Sequence, residues 1–169
     1  MPCCPRSKAA LALLVGLVVV QNGLAVAPEI KDEAKFFSAD AIKKANKQIR
    51  EIERKFGKDL LIETLPAVPA DQAAKVKAMS PEEREKFFRN WAVDRAEAAV
   101  VNGVYIMIVK DPAHLEIEIS SKARASFSKE EFDKLRSALL GKFRNKQFDE
   151  GLQEAVRLVE ERFAETTSK

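Results

Sequence analysis

Val104-Tyr105-Ile106-Met107-Ile108-Val109 is a run of six apolar residues opened by Asn102-Gly103. An extended chain turns successive side chains to opposite faces, so a strand apolar at every position must be covered on both sides. The run is far too short to cross a bilayer. Asp59 to Leu65 reads the same way apart from Glu63 and Thr64, and Pro66 and Pro69 end it, because proline cannot continue a ladder. A helical pattern separates these two strands, so they are expected to run parallel with a right-handed crossover.

The helices announce themselves by their caps. Ser38 opens a stretch whose apolar residues Ile42, Ala45, Ile49, Ile52 and Phe56 form one stripe, and Gly57 suits the left-handed position past its end. Ser80-Pro81-Glu82-Glu83 places a hydroxyl cap, a proline and two acids where a helix start wants them. Phe88, Trp91, Ala92, Arg95, Ala96 and Ala99 then share a face, with Trp91 expected in the core. Ser128-Lys129-Glu130-Glu131 is a capping box before Phe132, Leu135, Leu139 and Phe143. A last helix from about Asp149 carries Leu152, Ala155, Val156, Val159 and Phe163.

Lys110-Asp111-Pro112-Ala113 is too short for another crossover, so His114 to Ile119 should return antiparallel. Leu115, Ile117 and Ile119 alternate with His114, Glu116 and Glu118, the pattern of an edge strand with one wet face. The expected order is α, β, α, β, β, α, α. It predicts an α/β fold: a three-layer α/β/α sandwich around a small mixed sheet, Rossmann-like in its layering.

The N-terminus reads differently. Arg6 and Lys8 precede an uninterrupted apolar run of 12 residues from Ala9 to Val20, and Ala25-Val26-Ala27 follows. This is the layout of a secretory signal peptide, cleaved after Ala27 or, alternatively, after Ala25, with an uncleaved membrane anchor as the competing reading. Residues 1–27 are therefore read as a signal peptide and 28–169 as one domain, periplasmic or secreted, without a transmembrane helix in the mature chain. Its removal takes away Cys3 and Cys4 and lowers the net charge from +3 to +1. No thiol nucleophile, thiolate ligand or large basic field for nucleic acid remains.

Three stretches carry a family resemblance. Ile30-Lys31-Asp32-Glu33-Ala34, Asn102-Gly103-Val104-Tyr105-Ile106-Met107-Ile108 and Lys142-Phe143-Arg144-Asn145-Lys146-Gln147-Phe148-Asp149-Glu150-Gly151-Leu152 together resemble the opening, central strand and helix link of the TPM-domain family, the thylakoid-lumen phosphatase-like exported domains. The similarity runs from about Ile30 to Glu161. Two departures stand out. Ser120-Ser121-Lys122 replaces a glycine-bearing turn, and the chain stops at Lys169 where many bacterial members continue into a transmembrane helix and a Gly-rich tail. The resemblance implies a TPM-like fold. For function it implies either acid phosphatase chemistry, as associated with plant lumenal relatives, or an accessory role beside a membrane protein.

Two constellations could carry chemistry. His114-x-Glu116-x-Glu118 offers three ligands on one strand face, but same-face residues lie about 6.6 to 7 Å apart, so at most two could share an ion. A charged, solvated edge is the plain alternative. The second lies beyond the carboxyl ends of the parallel strands, where open sheets bind ligands. There Glu63, Thr64 and Asp111, joined by Asp32 through the family's opening motif, could hold Ca²⁺ or Mg²⁺, or could simply be turn formers. Lys142, Arg144 and Lys146 read as a solvated link. The chain contains one histidine and no Walker-type phosphate loop. The expectation is therefore a non-catalytic interaction module for envelope or membrane proteins. The alternative is a weak, acid phosphatase-like phosphomonoesterase, with or without a divalent cation, using Asp32, Glu63 and Asp111.

Overall fold

The computed structural model describes Met1 and residues 27–167; the apolar run, both cysteines and Ala25 of the expected signal peptide lie outside the described residues. Among the described residues no helix is long and apolar enough to cross a membrane. The elements are β1 (Lys31–Asp32), α1 (Ala39–Phe56), β2 (Asp59–Leu65), α2 (Ala70–Ala78), α3 (Pro81–Ala98), β3 (Gly103–Val109), β4 (His114–Ile119), α4 (Lys129–Arg144) and α5 (Phe148–Thr167), with a 3₁₀ turn at Arg124–Ser126. The strands lie in the order β1-β2-β3-β4. β1, β2 and β3 are parallel, and β4 returns antiparallel to β3.

The sheet is covered on both sides, as the two apolar strands require. Leu60, Ile62, Val104, Ile106 and Ile108 pack with residues of α1, α4 and α5 in one core, while Leu61, Leu65, Tyr105, Met107 and Val109 pack with Phe88 and Ala92 of α3 and Val76 of α2 in the other. Every residue of β3 is buried. The predicted caps are present: Ser38 accepts from Ala41 N, Ser80 and Ser128 form reciprocal capping boxes with Glu83 and Glu131, and Gly57 closes α1 at φ +59°.

Gly103 has a sharper purpose than a tight turn. A Cβ placed there would lie 1.9 Å from the Asp59 carbonyl oxygen, so only glycine lets β3 start against β2. The positive φ of this connection falls instead on exposed Val100, at 53°.

The structure departs from the sequence expectation at β1, α2 and β4. β1 and α2 are additional elements. β1 is two residues long and joins by backbone pairing, Lys31 with Glu63 and Asp32 with Thr64; a pairing of that length leaves no periodic pattern. α2 buries only Val76 and has no side-chain cap, which removes the usual start and face signals. Trp91, expected in the core, packs against it half-buried, beside Phe87, Phe88 and the Arg95 guanidinium.

The largest departure concerns β4. Its His114-Glu116-Glu118 face is largely covered, with Glu116 buried and His114 and Glu118 half-buried. α3 covers it, leaving Glu116 6% exposed and stacking Phe88 on the His114 ring at 4.0 Å. Protection of the outer edge comes from elsewhere. Ser120 N donates to Gly103 O at 2.9 Å, which in this register makes Tyr105–Glu118 and Met107–Glu116 the hydrogen-bonded pairs. Leu115, Ile117 and Ile119 therefore turn their peptide groups outward. Arg136 donates to Leu115 O at 3.0 Å and Arg124 to Ile119 O at 3.2 Å, so two arginines block carbonyls that another strand would seek.

Candidate functional site

The carboxyl ends of β1, β2 and β3 gather the residues expected there, but not into one cluster. Asp32 and Thr64 are paired neighbours, and the Thr64 hydroxyl donates to Asp32 Oδ1 at 2.5 Å. The same carboxylate accepts from Phe36 N at 3.0 Å and Phe37 N at 2.9 Å. Thr64 Oγ1 in turn accepts from Ala34 N at 3.1 Å. Together they fix the turn from β1 into α1, including Lys35 at φ +56°.

Glu63 leaves the sheet on the opposite face, because adjacent strand residues alternate. There its Oε1 meets Lys31 Nζ at 2.7 Å, and its Oε2 accepts from Arg95 Nε at 2.8 Å and Tyr105 OH at 2.5 Å. The residue is only 2% exposed. Burial alone would raise its pKa, but the bonds from Arg95, Lys31 and Tyr105 overcome that and hold the carboxyl at about 2. Burial, then Glu63, push the Tyr105 phenol upward. Glu63 is thus the hub of a neutralised, hydrogen-bonded network.

Asp111 is exposed in the β3–β4 connection, where its carbonyl accepts from Val68 N at 3.2 Å. A shared ion would need Asp32, Glu63, Thr64 and Asp111 to converge. Glu63 and the Asp32–Thr64 pair occupy opposite faces, so the set does not fit one cation. Among the described residues no group of three or more His, Cys, Asp or Glu is placed to hold a metal ion. On β4, His114 Nε2 lies 3.0 Å from Glu116 Oε2, and burial followed by Glu116 raises the pKa of Glu118.

What the strand ends do form is a cavity of about 590 Å³ between the carboxyl end of β3, the start of β4, α4 and the α4–α5 link. Phe36, Phe143 and Phe148 make an aromatic cluster at its wall, with ring centroids 4.8 to 5.8 Å apart. Lys110, Arg136, Arg144 and His114 supply its ionisable groups, and no carboxylate lines it. Sequence reasoning looked to this sheet end, where Lys110 and Asp111 follow β3, and chose the acids as ligands; the cavity is lined instead by Lys110 and by Arg136 and Arg144 of α4. The available signal was the spacing Arg136, Leu140, Phe143, Arg144, a mixed basic and apolar stripe along one face of α4.

No curated protein matches the chain. Among solved structures it is similar to the N-terminal domain of a P. gingivalis protein at a TM-score of 0.64 and 17% identity, covering 81% of this chain and 82% of that one. The N-terminal domain of a Corynebacterium glutamicum protein matches at 0.53 and 13%, covering 92% and 87%. The BA42 protein of the psychrophile Bizionia argentinensis matches at 0.56 and 17%, covering 78% and 83%. These likenesses establish a shared fold. The TPM domain family model matches residues 30–162, nearly all of the folded region, and the chain therefore belongs to the TPM-domain family.

Proposed function

We propose that this protein is an exported, non-catalytic accessory module that binds an envelope or membrane protein. The observation that carries this reading is the occupation of its two best acidic candidates. Asp32 holds two amides of its own turn and the Thr64 hydroxyl of β2, and Glu63 is bonded to Lys31, Arg95 and Tyr105. A general base or a metal ligand needs an oxygen free to face substrate. The competing reading, a divalent-cation-dependent phosphomonoesterase, asks Asp32, Glu63 and Asp111 to act together, and their separation across the sheet weighs against it.

The cationic, aromatic cavity supports binding in its place, since it joins apolar area to a few charged groups. Capture from an envelope extract with the immobilised protein tests the reading. One recurring partner, competed away by free protein, is expected. Repeated capture without a specific partner would overturn the proposal.

A further inference from the structure

The cavity at the end of β3 pairs a specific charge with a specific surface. Its wall is mostly phenyl and aliphatic, from Phe36, Leu115, Leu140, Phe143 and Phe148, all buried or half-buried. Its cations are not already neutralised. Among the described residues, Lys110, Arg136 and Arg144 form no ion pair; five of the other arginines hold a carboxylate, and Arg54, Arg84 and Arg124 do not. Arg136 is anchored on the Leu115 carbonyl, and Lys110 Nζ lies 5.9 Å from the centroid of the Phe36 ring. The Arg144 side chain has no hydrogen-bond partner among the described residues.

An occupant must therefore bring one negative group to Lys110 and Arg144 and lay an apolar body along the rings. A phosphate dianion fits less well. It wants a shell of N–H donors, yet Arg136, one of the three lysine and arginine side chains that line the cavity, is already committed to the Leu115 carbonyl. A polypeptide carboxyl terminus supplies the required pairing on a single residue: one carboxylate, and a side chain on the same Cα. Resting on the interaction-module reading above, we infer that this cavity captures the free carboxyl terminus of a partner polypeptide ending in an aromatic or bulky aliphatic residue. The guanidinium and ammonium groups bind the carboxylate, and the phenylalanine cluster receives the last side chain.

The test is a titration of the full-length protein with a short fluorescent peptide ending in phenylalanine, as free acid and as amide, with N-acetylphenylalanine and phenyl phosphate as competitors. The free acid is expected to bind roughly tenfold or more tightly than the amide. Lys110→Ala and Arg144→Ala should each weaken it several-fold while leaving the unfolding midpoint unchanged. Equal affinity for acid and amide, or no binding of either, overturns the inference. So does a peptide that binds no tighter than N-acetylphenylalanine, which moves the ligand to a small free carboxylate. Stronger competition by phenyl phosphate would overturn it in favour of a phosphoester. Hydrolysis of phenyl phosphate would sink the interaction-module reading itself, whereas inert phenyl phosphate beside indifference to amidation sinks only the carboxyl-terminus assignment.

Discussion

Thr64 on β2 donates its hydroxyl to Asp32 on β1 at 2.5 Å, across a parallel pairing of only two residues. This side-chain bond ties the shortest strand to the sheet and the start of α1 to both. Asp32→Ala leaves the Phe36 and Phe37 amides and the Thr64 hydroxyl without their acceptor. It is expected to cost about 2 to 3 kcal/mol of stability by urea unfolding. Thr64→Val should cost about 1 to 2 kcal/mol, and the double variant less than the sum, because both lose the same bond. Full additivity would show that the two residues act independently.

Glu63 makes stability depend on acid. Its folded pKa of about 2 lies below the ordinary 4.5, so its contribution is complete above about 4.5 and is lost as pH falls toward 2. That interval corresponds to about 3 kcal/mol. Glu63→Gln removes the charge that Arg95 and Lys31 face, so it should be markedly less stable than the parent at neutral pH. The gap should close across the same interval. Urea unfolding of both proteins between pH 7 and about 2.5 reads it, and a gap that does not change with pH would contradict the network.

Tyr105 is the only tyrosine of the chain, so its ionisation can be followed by absorbance without interference. With its phenol buried and donating to Glu63, it should resist ionisation through the range where free tyrosine titrates. The tyrosinate signal is expected only as the protein unfolds in alkali, coincident with loss of the circular dichroism signal. Tyrosinate forming in the folded protein near pH 10 would place the ring in solvent.

Two glycines should behave oppositely. Gly103→Ala drives a Cβ into the Asp59 carbonyl oxygen and should cost about 3 kcal/mol or more. Gly141→Ala, exposed within α4 with nothing within 4 Å of its would-be Cβ, should stabilise by about 0.5 to 1 kcal/mol. Thermal melts of the two variants decide both.

Much of the architecture was legible because it rests on local, redundant signals. Val104 to Val109 demanded cover on both faces, Ser38, Ser80 and Ser128 marked helix starts, and the short Lys110–Ala113 link required an antiparallel return. The elements missed were those formed through partners: β1, held by the Asp32–Thr64 bond, and α2, with one buried side chain. The covered face of β4 escaped for a similar reason. His114, Glu116 and Glu118 read as wet until α3 is known to lie over them. At the sheet end topology pointed to the place where the cavity lies, but not to the residues that line it. Alternation put Glu63 and Thr64 on opposite faces, and two of the cavity's cations, Arg136 and Arg144, came from α4, some 27 to 35 residues beyond the strand they face.

The central claim is that the acidic residues at the strand ends serve the fold and not a reaction. Phosphomonoester hydrolysis by the purified protein, with and without millimolar Ca²⁺ or Mg²⁺ and beside an Asp32→Asn control, tests it most directly. The account predicts no turnover above background under any of these conditions. Turnover that requires the cation and disappears with Asp32→Asn, in a variant that remains folded, would contradict it.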